Sequence, residues 1–184
     1  SNVLDWSGYG HQGTLGGNAQ WVDGAVQLDG EGAYIDLGTP QDLYLAQEYT
    51  YSAWFKAGAD IQGDSGVQYL LCVGSRSDLV FGVEDGVGAN GDLSLHYYDT
   101  APGFHAVNVG RTNWLADEWH MVVGTRDAEG HKIYLDGVLR NSDENPNLDN
   151  FGGATTRMIA IGGRAWTGDQ WGHFNGVIDD VPIY

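Results

Sequence analysis

Apolar residues along this 184-residue chain come in short runs. No stretch of ten or more positions shows the i, i+3, i+4 recurrence of an amphipathic helix. The runs are rich in Val, Ile, Tyr, Trp and Thr, and turn clusters of Gly, Asp, Asn and Ser separate them. This pattern predicts strands near residues 20–28, 33–37, 49–56, 68–73, 79–83, 93–98, 106–109, 118–126, 131–135, 138–140, 157–161 and 174–184. Leu135-Asp136-Gly137-Val138 carries the Asp-Gly signature of a tight hairpin, and the junctions at Asp23-Gly24 and Asp29-Gly30 are weaker copies. Bulk alternates from Tyr49 up to Trp54, as in a half-buried strand. The more continuous run from Trp119 to Thr125 predicts a central strand covered on both faces. Longer turn-rich stretches at 57–66, 100–117, 141–156 and 164–173 are candidate functional loops. Many short strands without a linker or repeat indicate one all-β domain over residues 1–184, a sandwich or barrel.

Composition narrows the partners. The chain has 42% hydrophobic residues and 12% aromatics, enough to bury a core. Its 25 acids against 8 basic residues give a formal charge of −17, which repels nucleic acid and anionic membrane surfaces. No apolar stretch approaches the roughly 18 residues of a membrane helix. Nineteen of the acids are Asp, a turn former and a common Ca²⁺ ligand. Cys72 lies in the apolar run Tyr69-Leu70-Leu71-Cys72-Val73 and reads as a buried thiol. No secretory leader or targeting tail is recognisable.

Six segments, taken in order, resemble one family. Asp5-Trp6-Ser7-Gly8-Tyr9-Gly10-His11-Gln12-Gly13-Thr14-Leu15 is similar to its opening D-x-S-G-x-G-x-x-G-T-L. Ala25-Val26-Gln27-Leu28-Asp29-Gly30 with Tyr34-Ile35-Asp36-Leu37, and then Ser52-Ala53-Trp54-Phe55-Lys56, resemble the next two patterns. Glu118-Trp119-His120-Met121-Val122-Val123-Gly124-Thr125, Ile133-Tyr134-Leu135-Asp136-Gly137 and the closing Phe174–Tyr184 segment complete the match. The chain thus resembles the laminin-G-like jelly-roll family of the concanavalin-A-like lectin/glucanase superfamily. The resemblance implies a two-sheet antiparallel jelly-roll sandwich, extracellular (secreted or on the cell surface), often a module of a larger polysaccharide-processing or adhesive protein. It also implies that Trp21, Trp54 and Trp119 stand at core positions. Two departures stand out. Pro182 replaces a common Arg, which predicts an edge or a bulge there. Of the apolar strand that usually precedes the opening motif only Ser1–Leu4 stand here, so either that strand is trimmed away or it comes from elsewhere, such as a neighbouring subunit.

Candidate chemistry follows in four kinds. A structural Ca²⁺ is expected on Asp5, Asp179 and Asp180 with carbonyls such as that of Gly10, or of His11, since the resemblance places such an ion between the chain ends. The alternative is that Asp5 caps its own turn and the Asp pair accepts hydrogen bonds. Sugar binding is expected from Trp166 and Trp171, whose indole faces can stack on a pyranose, with Arg164, Asp169, Gln170 and His173 as hydroxyl partners. A second cluster is Tyr98 and His105 with His96, Tyr97, Asp99 and Phe104; Trp114, Arg76 and Asp78 are further candidates. Glycoside hydrolysis needs two facing carboxylates, and neither E-x-D-x-E nor E-x-D-x-x-E occurs. A lyase would need a base such as a His105–Tyr97 pair together with a basic cleft, and the few scattered Lys and Arg do not suggest one. The expectation is therefore a non-catalytic carbohydrate-binding module for a neutral or weakly charged glycan. The rival is a structural or adhesive interaction domain joined to other modules or identical subunits.

Overall fold

The computed structural model describes residues 2–44, 48–59, 61, 67–74, 77–82, 91–98, 104–145, 158–164 and 172–184. Among them fifteen strands build two antiparallel sheets. One runs, edge to edge, β1 (Asn2–Val3), β2 (Gly13–Gly16), β5 (Tyr34–Asp36), β14 (Ile159–Ile161), β7 (Val67–Val73), β8 (Ser77–Gly82), β9 (Leu93–Tyr98) and β10 (Phe104–Val109). The other runs β13 (Val138–Asp143), β12 (Gly130–Leu135), β11 (His120–Asp127), β6 (Tyr49–Ala57), β15 (Asn175–Asp179), β4 (Ala25–Asp29) and β3 (Gln20–Val22). This is the two-sheet jelly-roll sandwich that the family resemblance implies, and of the sandwich and barrel left open by the strand pattern it is the sandwich. A four-residue helical turn, α1 (Gln41–Tyr44), is the α-helical piece among the described residues.

The turn chemistry largely works as read. Asp136 and Gly137 both take positive φ (53° and 75°) and close the β12–β13 hairpin; Asp23 and Gly24 (52° and 92°) do the same for β3–β4. The third junction differs. After Asp29-Gly30 the chain leaves the seven-stranded sheet and enters β5 of the other. Asp29 makes that crossing: its Oδ1 accepts the N–H groups of Glu31, Gly32 and Ala33, and its Oδ2 accepts the Asn18 amide. The closing strand also differs. It breaks at Asp180, whose φ is 41°, and then Pro182 and Tyr184 rejoin β6 through hydrogen bonds to Ser52 and Thr50. The expected irregularity at Pro182 is therefore a bulge, and its carbonyl, not its missing N–H, makes the contact.

Alternate positions of each strand meet in one apolar layer. In β6, Tyr49, Tyr51, Ala53, Phe55 and Ala57 are buried, while Thr50, Ser52, Trp54 and Lys56 face away from the core. Facing them across the sandwich are Ile35, Leu71, Leu79, Leu93, Leu95 and Tyr97. Gly124 of β11 marks a close approach, since a Cβ there would lie 3.0 Å from Leu95 and 3.1 Å from Leu79. β7 and the short β14 are buried along their whole length, whereas β11 alternates. Val67, Tyr69 and Cys72 form a second cluster on the outer side of β7, which accounts for the buried thiol. Three tryptophans expected in the core are not in it: Trp21, Trp54 and Trp119 are 48%, 40% and 44% exposed. Trp54 and Trp119 fall on the outward parity of β6 and β11, and Trp21 lies on the edge strand β3.

Two measurements follow. Asp29→Ala leaves three backbone N–H groups without their acceptor, so it should lower stability by about 2–3 kcal/mol and the melting temperature by roughly 5–10 °C. The second concerns pH. Burial outweighs the hydrogen bond to the Asn145 carbonyl and pushes His131 down to about 4. The unfolded chain takes up this proton first, so the native state should lose stability as pH falls from about 6.5 to 4. Thermal melts across that range should show the slope, and His131→Phe should reduce it. Below it, Asp29 adds a further loss: burial raises its carboxyl, but the hydrogen bonds prevail and hold it at about 2, so its contribution fades between pH 4 and 2.

Candidate functional site

The turn between β1 and β2 is held by one carboxylate. Asp5 Oδ1 accepts the Ser7 N–H at 2.7 Å and Oδ2 accepts the His11 N–H at 2.8 Å; the Ser7 Oγ accepts the Tyr9 N–H at 3.2 Å. Gly8 and Gly10 supply the positive φ values, 87° and 84°. The Ser7 hydroxyl first, then the N–H groups of Ser7 and His11, hold the Asp5 carboxyl at about 2. His11 Nε2 pairs with Asp42 of α1 at 2.8 Å, tying the turn to the body of the domain. Asp5, Ser7, Gly8, Gly10 and His11 all serve this geometry. Trp6 and Tyr9 do not: Trp6 is 90% and Tyr9 80% exposed, and the Tyr9 ring lies parallel to His11 at 6.5 Å. Reading the motif for its turn residues passed over these two; the signal was their position at the open places of a rigid turn.

The other rim residues are placed as follows. His105 stacks on Tyr97 with centroids 4.9 Å apart, and Tyr97 in turn lies against His131 at 3.5 Å. Tyr97 is fully buried and donates its hydroxyl to Asp143 at 2.5 Å, with His105 Nδ1 4.0 Å from the same carboxylate. That hydrogen bond is the main cause holding Asp143 below its ordinary range. Stacked rings with the phenol already bonded do not form an acid–base pair, so the His105–Tyr97 chemistry weighed above is not set up here. Trp114 is also a correction: it is 1% exposed, edge-on to Phe55, with Arg111 over its ring at 3.9 Å. His173 is buried beside Tyr34 and Gly163, and Arg164 is half-buried. Tyr98 ends β9. Trp166, Asp169, Gln170 and Trp171, like Arg76 and Asp99, lie outside the described residues. The strand register still separates the two stretches. Pairing of Thr14 and Ala160 with Asp36 sets the Asp5 turn at one end of the eight-stranded sheet, and the chain leaves β14 toward residue 164 at the other, Tyr34 end.

Asp5 and Asp179, expected as calcium donors, accept hydrogen bonds within their own segments. Both Asp5 oxygens already accept N–H groups of their own turn, and Asp179 Oδ1 accepts the Asp180 N–H at 2.9 Å. Asp179 points to the solvent face of the seven-stranded sheet opposite Trp54. No group of three His, Cys, Asp or Glu side chains that could hold a metal forms among the described residues, whereas Ca²⁺ takes six to eight oxygens.

On the seven-stranded sheet, the outward positions of β6, β11 and β15 bring Trp54, Lys56, Trp119, Met121, Val177 and Asp179 onto one face. Trp54 pairs with Met121 on one side and Asp179 on the other, and Lys56 pairs with Val177. The Lys56 ammonium lies 5.7 Å from the Trp119 ring centroid.

No curated protein matches the chain. Solved structures do. The receptor-binding domain of botulinum neurotoxin mosaic serotype C/D superposes with a TM-score of 0.72 at 18% identity, over 98% of this chain but only 44% of that one. Domain 4 of AbnA, an extracellular arabinanase from Geobacillus stearothermophilus, solved in complex with arabinotriose, gives 0.65 at 24% identity, covering 97% of this chain and 84% of that one. The CBM40 domain of the Ruminococcus gnavus IT-sialidase, bound to α2,3-sialyllactose, gives 0.66 at 14%, covering 87% and 89%. Residues 29–184 match a laminin-G family model, and the chain belongs to the concanavalin A-like lectin/glucanases superfamily.

Proposed function

We propose that this chain is a non-catalytic, extracellular carbohydrate-binding module and that its 5–11 turn is a glycan contact. The observation that carries this reading is the near-complete exposure of Trp6 and Tyr9 on a turn made rigid by the Asp5 carboxylate. Flat aromatic faces stack on the C–H face of a sugar, and holding them rigidly lowers the ordering cost of binding. The Ser7 hydroxyl and the glycine carbonyls beside them are partners for sugar hydroxyls. Two structural relatives support the ligand class, being carbohydrate-binding domains seen with arabinotriose and with sialyllactose. The charge of −17 favours a neutral or weakly charged glycan over a polyanion. Trp166 and Trp171, expected from the sequence, offer indole faces for the same chemistry.

A second reading, adhesion to a protein, is favoured by Leu4. It is 55% exposed two residues before Trp6, and one structural relative is a receptor-binding domain. A glycan array followed by affinity measurement on its strongest hit separates the two. Trp6→Ala should weaken glycan binding roughly 10- to 100-fold while moving the melting temperature by no more than about 2 °C. Trp171→Ala tests the expectation for that indole in the same assay. Unchanged retention by the Trp6→Ala/Tyr9→Ala double variant removes the turn from the reading. Self-association in sedimentation that the double variant abolishes, with no glycan bound by the wild type, establishes adhesion instead.

A further inference from the structure

The outward face of the seven-stranded sheet holds a basic residue that makes no ion pair among the described residues. Lys56 has no carboxylate of the described residues within 4.0 Å, in a chain where acids outnumber bases 25 to 8. Its contrast is Lys132, which holds Asp127 at 3.1 Å and Glu129 at 2.8 Å. Asp179 stands one pair along from Lys56 on the same face, yet the ammonium lies over the Trp119 indole instead. Lys56 pairs with Val177 and is two residues from Trp54, so apolar surface surrounds it. Trp54 and Trp119 are each about two-fifths exposed, leaving indole surface open beside the charge.

We propose that this face is a separate binding surface for a sugar bearing a carboxylate, with Lys56 as the residue that selects it. The indoles of Trp54 and Trp119 take the ring C–H faces, and the ammonium donates charge-assisted hydrogen bonds to the carboxylate. A neutral sugar would stack equally well but leave the ammonium with hydroxyls only. A polyanion would meet the repulsion of the whole domain, so the fitting ligand has an isolated carboxylate on an otherwise neutral chain. Uronic acids and sialic acids both carry that group.

The test uses the intact chain and two probe pairs, α2,3-sialyllactose against lactose and cellobiouronic acid against cellobiose, in titration calorimetry at about 0.15 M salt. At least one acid should bind about tenfold more tightly than its neutral partner. Lys56→Met should abolish the preference and Lys56→Arg should keep it. The Trp6→Ala/Tyr9→Ala variant should leave it intact, which separates this face from the turn. Which pair shows the preference identifies the sugar type. Equal binding of acid and neutral partner, a preference that survives Lys56→Met, or no binding of either acid overturns the proposal. Loss of the preference in the turn variant also overturns it, by moving the acid site to the turn. None of these outcomes touches the module's binding of neutral glycans, which the array reads independently.

Discussion

The structure rests on one apolar layer between two sheets. Strands such as β6 contribute to it with alternate residues, and the layer closes only where the sheets come near enough to touch. Gly124 against Leu79 and Leu95 shows how near. A Cβ at that position would sit 3.0–3.1 Å from the ends of those two leucines, so they would have to shift to make room. Fully buried Leu28, Phe55, Leu71, Leu93 and Leu135 then each contribute about 1.5–3 kcal/mol by leaving water. The outer face of one sheet is free of that duty, and the turns are free of it altogether. Those are the places where exposed aromatics are found.

The acidic composition has a structural use that does not involve metal. Asp29 gathers three N–H groups at the crossing between sheets, and Asp5 gathers two in the opening turn. Asp136 accepts the Met121 N–H and pairs with His120 across the β12–β13 hairpin, and Asp143 accepts the Tyr97 hydroxyl. A short carboxylate satisfies several backbone donors at once where a chain reverses, which longer Glu does less compactly. The bias of 19 Asp to 6 Glu is in this respect a signature of many corners.

The tryptophans show where pattern reading succeeded and where it stopped. Alternation in Tyr49–Phe55 was visible, and it placed Trp54 on the opposite parity from Tyr49 and Tyr51. The family resemblance nevertheless placed it in the core, because a matching motif position does not tell which side of a sheet a residue faces. Trp114 was misjudged in the other direction. It sits in a turn-rich stretch, but Phe55 and Arg111 enclose it. Contacts between residues sixty positions apart leave no mark on local periodicity.

By itself, the sequence determined the fold class, the tight Asp-Gly hairpins and the chemical character of the surface. These depend on strand period, turn residues and net charge, all of which are local or additive. Tertiary structure decided that the Asp5 turn presents Trp6 and Tyr9 to solvent, that Asp29 ends one sheet and leads into the other, and that Lys56 lies near Trp119 with no acid partner among the described residues. Each of those depends on which strand lies beside which. That order is set by packing the whole layer at once and by no single segment within it.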